Sequence, residues 1–325
     1  MDIHILNTPE LQELRHLESR LLPEIRLTVG QLLPDPATFE VLVAGRPNRQ
    51  QLQASPNLRI VVIPFAGLPD ATRLVLQDFP NLVVHNLHHN AAITAEMALA
   101  LLLAASKFIV PYDQALRHND WRLRYQPPPA LFLNGKTALI LGFGHVGQHI
   151  GRACAALGMR IIAIRRHPEQ PITLDFPAEI HGSEALNELL PQADAVLIAL
   201  PGTSETYGLL GPAEISLLPP GAVLVNVGRG SIVDQHALFQ ALKERRLRAA
   251  GLDVWYRYPA SETEWENTPP ADEPFHELEN VVLSPHRADG SSETEILRME
   301  HLAELLNAVA YGEEPPNQVD MALGY

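Results

Sequence analysis

The chain has little sulfur chemistry. Cys154 is the only cysteine in 325 residues, so no intramolecular disulfide can form, and a reducing compartment is the expected setting. Positive charge is scarce too. The 24 Lys and Arg against 38 Asp and Glu leave a net charge of −14, which repels phosphates and argues against non-specific nucleic-acid binding. Long hydrophobic runs are missing. The longest, residues 97–105, lies between Glu96 and Ser106 and is far short of the ~18 residues a membrane helix needs. A buried helix is expected there, and no membrane contact. Met1-Asp2 opens no basic-then-apolar leader, so the cytoplasm is the default location. The 28 prolines are scattered and read as loop punctuation, not a low-complexity tract. No repeat of solenoid period is present.

What remains is a globular composition, 46% hydrophobic and 19% charged, with core enough for about two domains of ~150 residues. Residues 3–6 read as a strand and 9–22 as a helix with Thr8 as N-cap. Residues 41–44 and 58–63 are β-branched strand candidates, and 94–110 has helical length. Pro127-Pro128-Pro129 breaks the series. A second series then places strands at 137–141, 160–164, 193–199, 222–227, 249–254 and 281–283, with helices at 146–157 and 235–245. A last helix spans 292–311, followed by a loose tail after Gly312. The strands are apolar throughout, as expected when helices cover both sheet faces. Their alternation with helices predicts parallel sheets in two α/β domains.

The strongest local signal is Leu141-Gly142-Phe143-Gly144-His145-Val146-Gly147, a G-x-G-x-x-G between strand and helix. Gly142 permits the tight turn, Gly144 lets backbone approach a pyrophosphate, and Gly147 lets the helix pack on the strand. The helix N-terminus then meets the anion. At the end of the second strand an acid would bind a ribose 2′-hydroxyl, but Arg165, Arg166 and His167 stand there. Two guanidiniums suit a 2′-phosphate, so NADP(H) is favoured, with NAD(H) possible.

Three further segments carry chemistry: Val225-Asn226-Val227-Gly228-Arg229-Gly230-Ser231, Gly251-Leu252-Asp253-Val254-Trp255, and Leu283-Ser284-Pro285-His286. Reducing a 2-oxo acid needs a cation for its carboxylate and an acid for its oxygen. Arg229 is a permanent planar cation, and His286 can donate a proton near neutral pH. Together with the glycine turn and Gly135-Lys136-Thr137, these segments resemble the D-isomer-specific 2-hydroxyacid dehydrogenase family over residues 94–290. The resemblance is weaker in the first third, at Phe65-Ala66-Gly67 and Thr94-Ala95-Glu96.

That resemblance implies two Rossmann-like domains with parallel sheets. A doubly wound coenzyme domain, residues 94–289, is inserted in a smaller flavodoxin-like substrate domain, residues 1–93 and 290–325, with the cleft between them. It also implies an oxidoreductase passing hydride between NADP(H) and a 2-oxo acid/D-2-hydroxy acid pair. Arg229 would bind the carboxylate and His286 would be the acid/base. Gly142, Gly144, His145, Val146, Gly147, Arg165, Arg166, Leu200, Pro201, Thr206, Val227, Asp253 and Thr94 would hold the cofactor. Ala66 and Gly67 would join Arg229 and His286 on the substrate. A homodimer is implied, with Trp121 in its arm. No metal is expected.

The chain departs from the family at one point. The glutamate that usually partners the histidine precedes a proline shortly after the Asp-Val-aromatic step; here Tyr258 precedes Pro259. Either Glu262, Glu264 or Glu266 of the following acidic loop folds back on His286, or a phenol or water replaces the carboxylate. The missing acid motivates an alternative function, a dinucleotide-sensing protein with little turnover. His85, His88 and His89 form a cluster with no adjacent carboxylate or cysteine, better suited to lining a substrate pocket than to binding metal.

Overall fold

Short β-branched runs separated by helices build two all-parallel sheets in a computed structural model that describes residues 1–322 and Gly324. Leu323 and Tyr325, at the end of the expected 290–325 segment, lie outside the described residues. The chain divides into two units. Met1–Asn90 and Ser291–Tyr325 form one, and Ala91–Gly290 the other.

In the smaller unit the chain runs β1 (Asp2–Ile5), α1 (Leu11–Glu18), β2 (Arg26–Val29), β3 (Val41–Val43), α2 (Arg49–Gln53), β4 (Ile60–Ile63), α3 (Asp70–Leu76) and β5 (Val83–Asn86). Its sheet has the order β2-β1-β3-β4-β5. The larger unit begins with α4 (Ala91–Lys107) and α5 (Ile109–Arg117). It continues through β6 (Thr137–Leu141), α6 (His145–Ala156), β7 (Arg160–Ile164), β8 (Glu179–His181), α7 (Leu186–Leu189) and β9 (Ala195–Ile198). It ends with α8 (Pro212–Leu217), β10 (Val223–Asn226), α9 (Gln235–Lys243), β11 (Ala249–Leu252) and β12 (Val281–Leu283). These strands form a seven-stranded sheet in the order β12-β11-β10-β9-β6-β7-β8. The last helix, α10 (Thr294–Tyr311), returns to the smaller unit, where Met299, Leu302, Leu305 and Leu306 join the core over β1, β3 and β4.

The apolar strands are apolar because both faces are covered. In β10, Val223 and Val225 face a core shared with Ala98, Leu101 and Leu102 of α4. Leu224 between them faces the other core, with Leu238, Phe239 and Leu242 of α9. Cys154 of α6 is buried in the first of these cores, and that burial pushes its thiol up to about 12.

Several local expectations change. The first helix starts at Leu11, not after Thr8; Glu10 is its cap, its backbone N–H bonded to Glu13 Oε2 at 2.8 Å. The 94–110 helix starts at Ala91 and stops at Lys107, where Phe108 turns left-handed (φ 56°) and α5 sets off at 67°. Among the described residues no single helix is long and apolar enough to cross a membrane. The tail after Gly312 is not loose at residues 317–319. Asn317 O accepts from Asn86 N–H at 3.0 Å and Val319 N–H donates to Val84 O at 2.8 Å, so it pairs with the edge of β5.

Glycine is required where α6 meets β6. A Cβ on Gly147 would lie 2.0 Å from Gly142 O, whereas one on Gly144 meets nothing within 4 Å. Alanine gains about 1 kcal/mol of helix propensity over glycine, but overpacking against backbone costs about 1–3 kcal/mol or more. Gly147→Ala is therefore expected to lower stability in urea denaturation by more than Gly144→Ala, which loses only an N-cap preference of about 1 kcal/mol. Equal stability of the two variants would refute the close-packing argument.

Candidate active site

Parallel strands deliver their carboxyl ends to one edge of the sheet, where ligands of open α/β sheets bind. In the larger unit that edge collects the turns after β6, β7, β9, β10, β11 and β12.

The turn after β6 fits a dinucleotide pyrophosphate. Gly142 is left-handed at φ 93°, and a Cβ there would sit 2.8 Å from Ala199 O. Gly144 is the N-cap of α6 and leaves open space for an anion beside the helix's first N–H groups. His145 is exposed and Val146 half-buried on the first turn. At the end of β7 the Arg165 guanidinium approaches Gln170, 3.4 Å from its Oε1. Arg166 forms an ion pair with Glu205, from the loop after β9. That loop carries half-buried Leu200 and Pro201. Thr206 is buried, and its hydroxyl closes its own turn, donating to Pro201 O at 2.6 Å and accepting from Thr203 N–H at 2.9 Å. Val227, after β10, and Thr94, on α4, are both buried.

Arg229 is exposed just past β10. Its loop is clamped by Asn226, a buried amide whose Nδ2 donates to Arg229 O at 2.9 Å and whose Oδ1 accepts from Gly228 N–H at 3.0 Å. The Arg229 guanidinium rests on Gly228 O at 2.7 Å. Sequence reading assigned Asn226 no role. The available signal was a polar residue closing the apolar run Val223-Leu224-Val225.

Asp253, just past β11, is 0% exposed, and its carboxylate is satisfied within the chain. One oxygen accepts from the Ser284 hydroxyl and from Arg287 N–H at 2.9 Å; the other accepts from Ala288 N–H at 2.9 Å. The carboxylate thus ties down both sides of His286, whose own backbone is left-handed at φ 56°. Trp255 adds a second fastening, its Nε1 donating to Ser284 O at 2.8 Å.

Tyr258 packs beside His286, their ring centroids 5.4 Å apart at 52°. Its hydroxyl accepts from Trp255 N–H at 3.0 Å. Burial pushes the phenol above its ordinary value, against the Trp255 hydrogen bond and the nearby Arg229 charge, so at neutral pH the ring is uncharged. Glu262, Glu264 and Glu266 are all exposed, and Glu264 turns back on its own loop to accept from Ala260 N–H at 3.0 Å.

The remaining sequence candidates belong to the smaller unit. Ala66 and Gly67 are half-buried after β4, and Ala66 O accepts from Asn86 Nδ2 at 2.8 Å. His85 and His89 are buried and His88 is half-buried. His85 bonds Pro316 O at 2.8 Å, and burial lowers its pKa. Burial and the charges of Arg298, His301 and His88 lower His89 to about 3. Among the described residues no three His, Cys, Asp or Glu side chains are grouped to hold a metal ion.

Residues 99–288 match the sequence model of the D-isomer specific 2-hydroxyacid dehydrogenase NAD binding domain. A glyoxylate reductase of Korarchaeum cryptofilum is 35% identical over 303 residues, covering 89% of this chain and 81% of that protein. One from Aeropyrum pernix is 36% identical over 291 residues, covering 86% and 81%. Among solved structures, a D-isomer specific 2-hydroxyacid dehydrogenase from Xanthobacter autotrophicus in complex with NADPH superposes with a TM-score of 0.81 at 24% identity, covering 100% of this chain and 99% of that one. An NADPH-dependent glyoxylate/hydroxypyruvate reductase from Sinorhizobium meliloti gives 0.73 at 25%, covering 99% and 98%. The chain therefore belongs to the D-isomer specific 2-hydroxyacid dehydrogenases, oxidoreductases that use a nicotinamide dinucleotide.

Proposed function

We propose that the protein reduces a small 2-oxo acid of the glyoxylate or hydroxypyruvate kind to the 2-hydroxy acid, with NADPH as the preferred reductant. The observation that carries this reading is the grouping of Arg229, Tyr258 and His286 at the carboxyl ends of neighbouring strands. Tyr258 lies against His286 and feels the charge of Arg229. Glyoxylate reductase relatives over most of the chain support the substrate class. The preference for NADPH rests on Arg165 and Arg166 at the end of β7, where an acid would select the 2′-hydroxyl.

Gly142, Gly144 and Gly147 with the first turn of α6 would hold the pyrophosphate, and Leu200 and Pro201 would lie along the dinucleotide. The bound nicotinamide supplies hydride to the substrate's C2. Arg229 grips the substrate carboxylate in a planar fork and draws charge toward the neighbouring carbonyl. His286, as imidazolium, gives its proton to the carbonyl oxygen as that oxygen gains charge. Asp253 keeps the imidazole at its station through Ser284, Arg287 and Ala288. The proposal includes a homodimer. Ile109, Leu116, Trp121, Tyr125 and Phe132 are all exposed along one stretch of the larger unit, an apolar surface a second copy would cover.

The reading is tested by kcat/KM for a panel of 2-oxo acids with NADPH and with NADH. Turnover of glyoxylate or hydroxypyruvate with NADPH ahead of NADH is expected. Cofactor binding without turnover on any 2-oxo acid would favour a sensing protein, and a tenfold preference for NADH would overturn the reading of Arg165 and Arg166. Arg229→Lys should lose about 100- to 1,000-fold in kcat/KM at unchanged NADPH affinity, because an ammonium cannot reproduce the fork. Near-parental turnover in the folded variant would remove Arg229 from the mechanism.

A carboxylate beside an imidazole favours the imidazolium. In Tyr258→Glu the fall of the reduction rate at high pH should therefore move upward by about one unit. An unmoved profile would show that His286 is not the group whose protonation limits reduction.

A further inference from the structure

We infer that Glu205 competes internally for the cation that reads the dinucleotide's ribose, and so sets how strongly the site prefers a 2′-phosphate over a 2′-hydroxyl. The inference rests on the proposed reading of Arg166 as a ribose-phosphate contact. In the sheet β7 and β9 flank β6, so the turns after β7 and β9 stand on either side of the glycine turn. Arg166 follows the first of these strands and Glu205 the second, and their side chains form an ion pair across that interval. The arginine side chain is the more enclosed, 28% exposed against 65% for the glutamate. Glu205 also projects from a fixed turn, because the neighbouring Thr206 hydroxyl bonds back to Thr203 N–H and Pro201 O.

The consequence is a contest of anions. A phosphate monoester carries about −1.5 to −2 charges and three acceptor oxygens, so it can take Arg166 from a single carboxylate. It must break the existing pair to do so, and the displaced Glu205 remains nearby as a like charge. A 2′-hydroxyl leaves the pair intact and can donate to a carboxylate, the partner that NAD-selective sites supply. Glu205 therefore weakens NADPH binding and leaves NADH binding unchanged or aided. Glu205 is thus one of the groups that set the cofactor preference of this chain.

Fluorescence titration of NADPH and NADH without substrate tests the inference on the full-length protein. An exposed ion pair is worth up to about 1 kcal/mol, and added repulsion brings the expected gain to about three- to tenfold. Glu205→Gln should tighten NADPH by that factor, leave NADH within about twofold, and lose its advantage at high salt. In an Arg166→Ala background the same change should tighten NADPH less, because only the repulsion of the 2′-phosphate is then relieved. If Arg166→Ala alone leaves the ratio of the two dissociation constants unchanged, the ribose reading fails and the inference falls with it. If Arg166→Ala lowers that ratio but Glu205→Gln shifts both cofactors equally or neither, the ribose reading stands. Glu205 is then a surface ion pair with no part in selection.

Discussion

A carboxylate buried at the end of a strand organises this active site. Removing a carboxylate from water costs several kcal/mol unless its oxygens are satisfied. Asp253 is satisfied only if the segment after β12 comes to it, because its donors are the Ser284 hydroxyl and the Arg287 and Ala288 N–H groups. The same arrangement accounts for the left-handed backbone of His286. That conformation costs a non-glycine residue about 1–2 kcal/mol, less than the cost of leaving a buried carboxylate without its donors. Trp255 fastens the same segment through Ser284 O, and Tyr258 then packs against the imidazole. Burial of one charge thus determines where the proton donor sits.

The rest of the site repeats this logic with weaker groups. Asn226 clamps the Arg229 loop with two hydrogen bonds, and Thr206 closes the turn that carries Glu205. Asn226 and Asp253 are buried polar side chains at strand ends, satisfied by the loop that follows or by the loop of the next strand. The exposed residues, Arg229 and His286, are left available for chemistry. A rigid parallel sheet supplies the positions, and short side-chain tethers hold the reactive groups there.

Much of this was legible in sequence, because parallel strands buried on both faces leave uninterrupted apolar runs. The strands at 137–141 and 160–164 have the expected bounds, and the glycine turn lies between the first of them and α6. Two edge strands were not legible. Arg26–Val29 and Glu179–His181 mix polar and apolar residues because one side of each lacks a neighbour. Nor was the start of α1, where Glu10 and Glu13 form the cap downstream of Thr8. In the site, sequence named Arg229, His286 and Asp253 but not the hydrogen bonds that tie Asp253 to the segment after β12. Burial and hydrogen-bond direction come from packing distant segments together, and no local pattern records that Asp253 meets Ser284. The pairing of Arg166 with Glu205 was hidden for the same reason, since the partners lie 39 residues apart on different strand ends.

Separating kcat from cofactor affinity in Asp253→Asn tests the placement of the proton donor most directly. The amide keeps the shape of the side chain but turns one acceptor into a donor that faces an N–H group. If Asp253 places His286, kcat for reduction falls about 10- to 100-fold, the scale of loss from a small misplacement of a reacting group. The NADPH dissociation constant meanwhile stays within about twofold. A dissociation constant that rises as far as kcat/KM falls, at unchanged kcat, would show that Asp253 holds the cofactor and that His286 is positioned by something else.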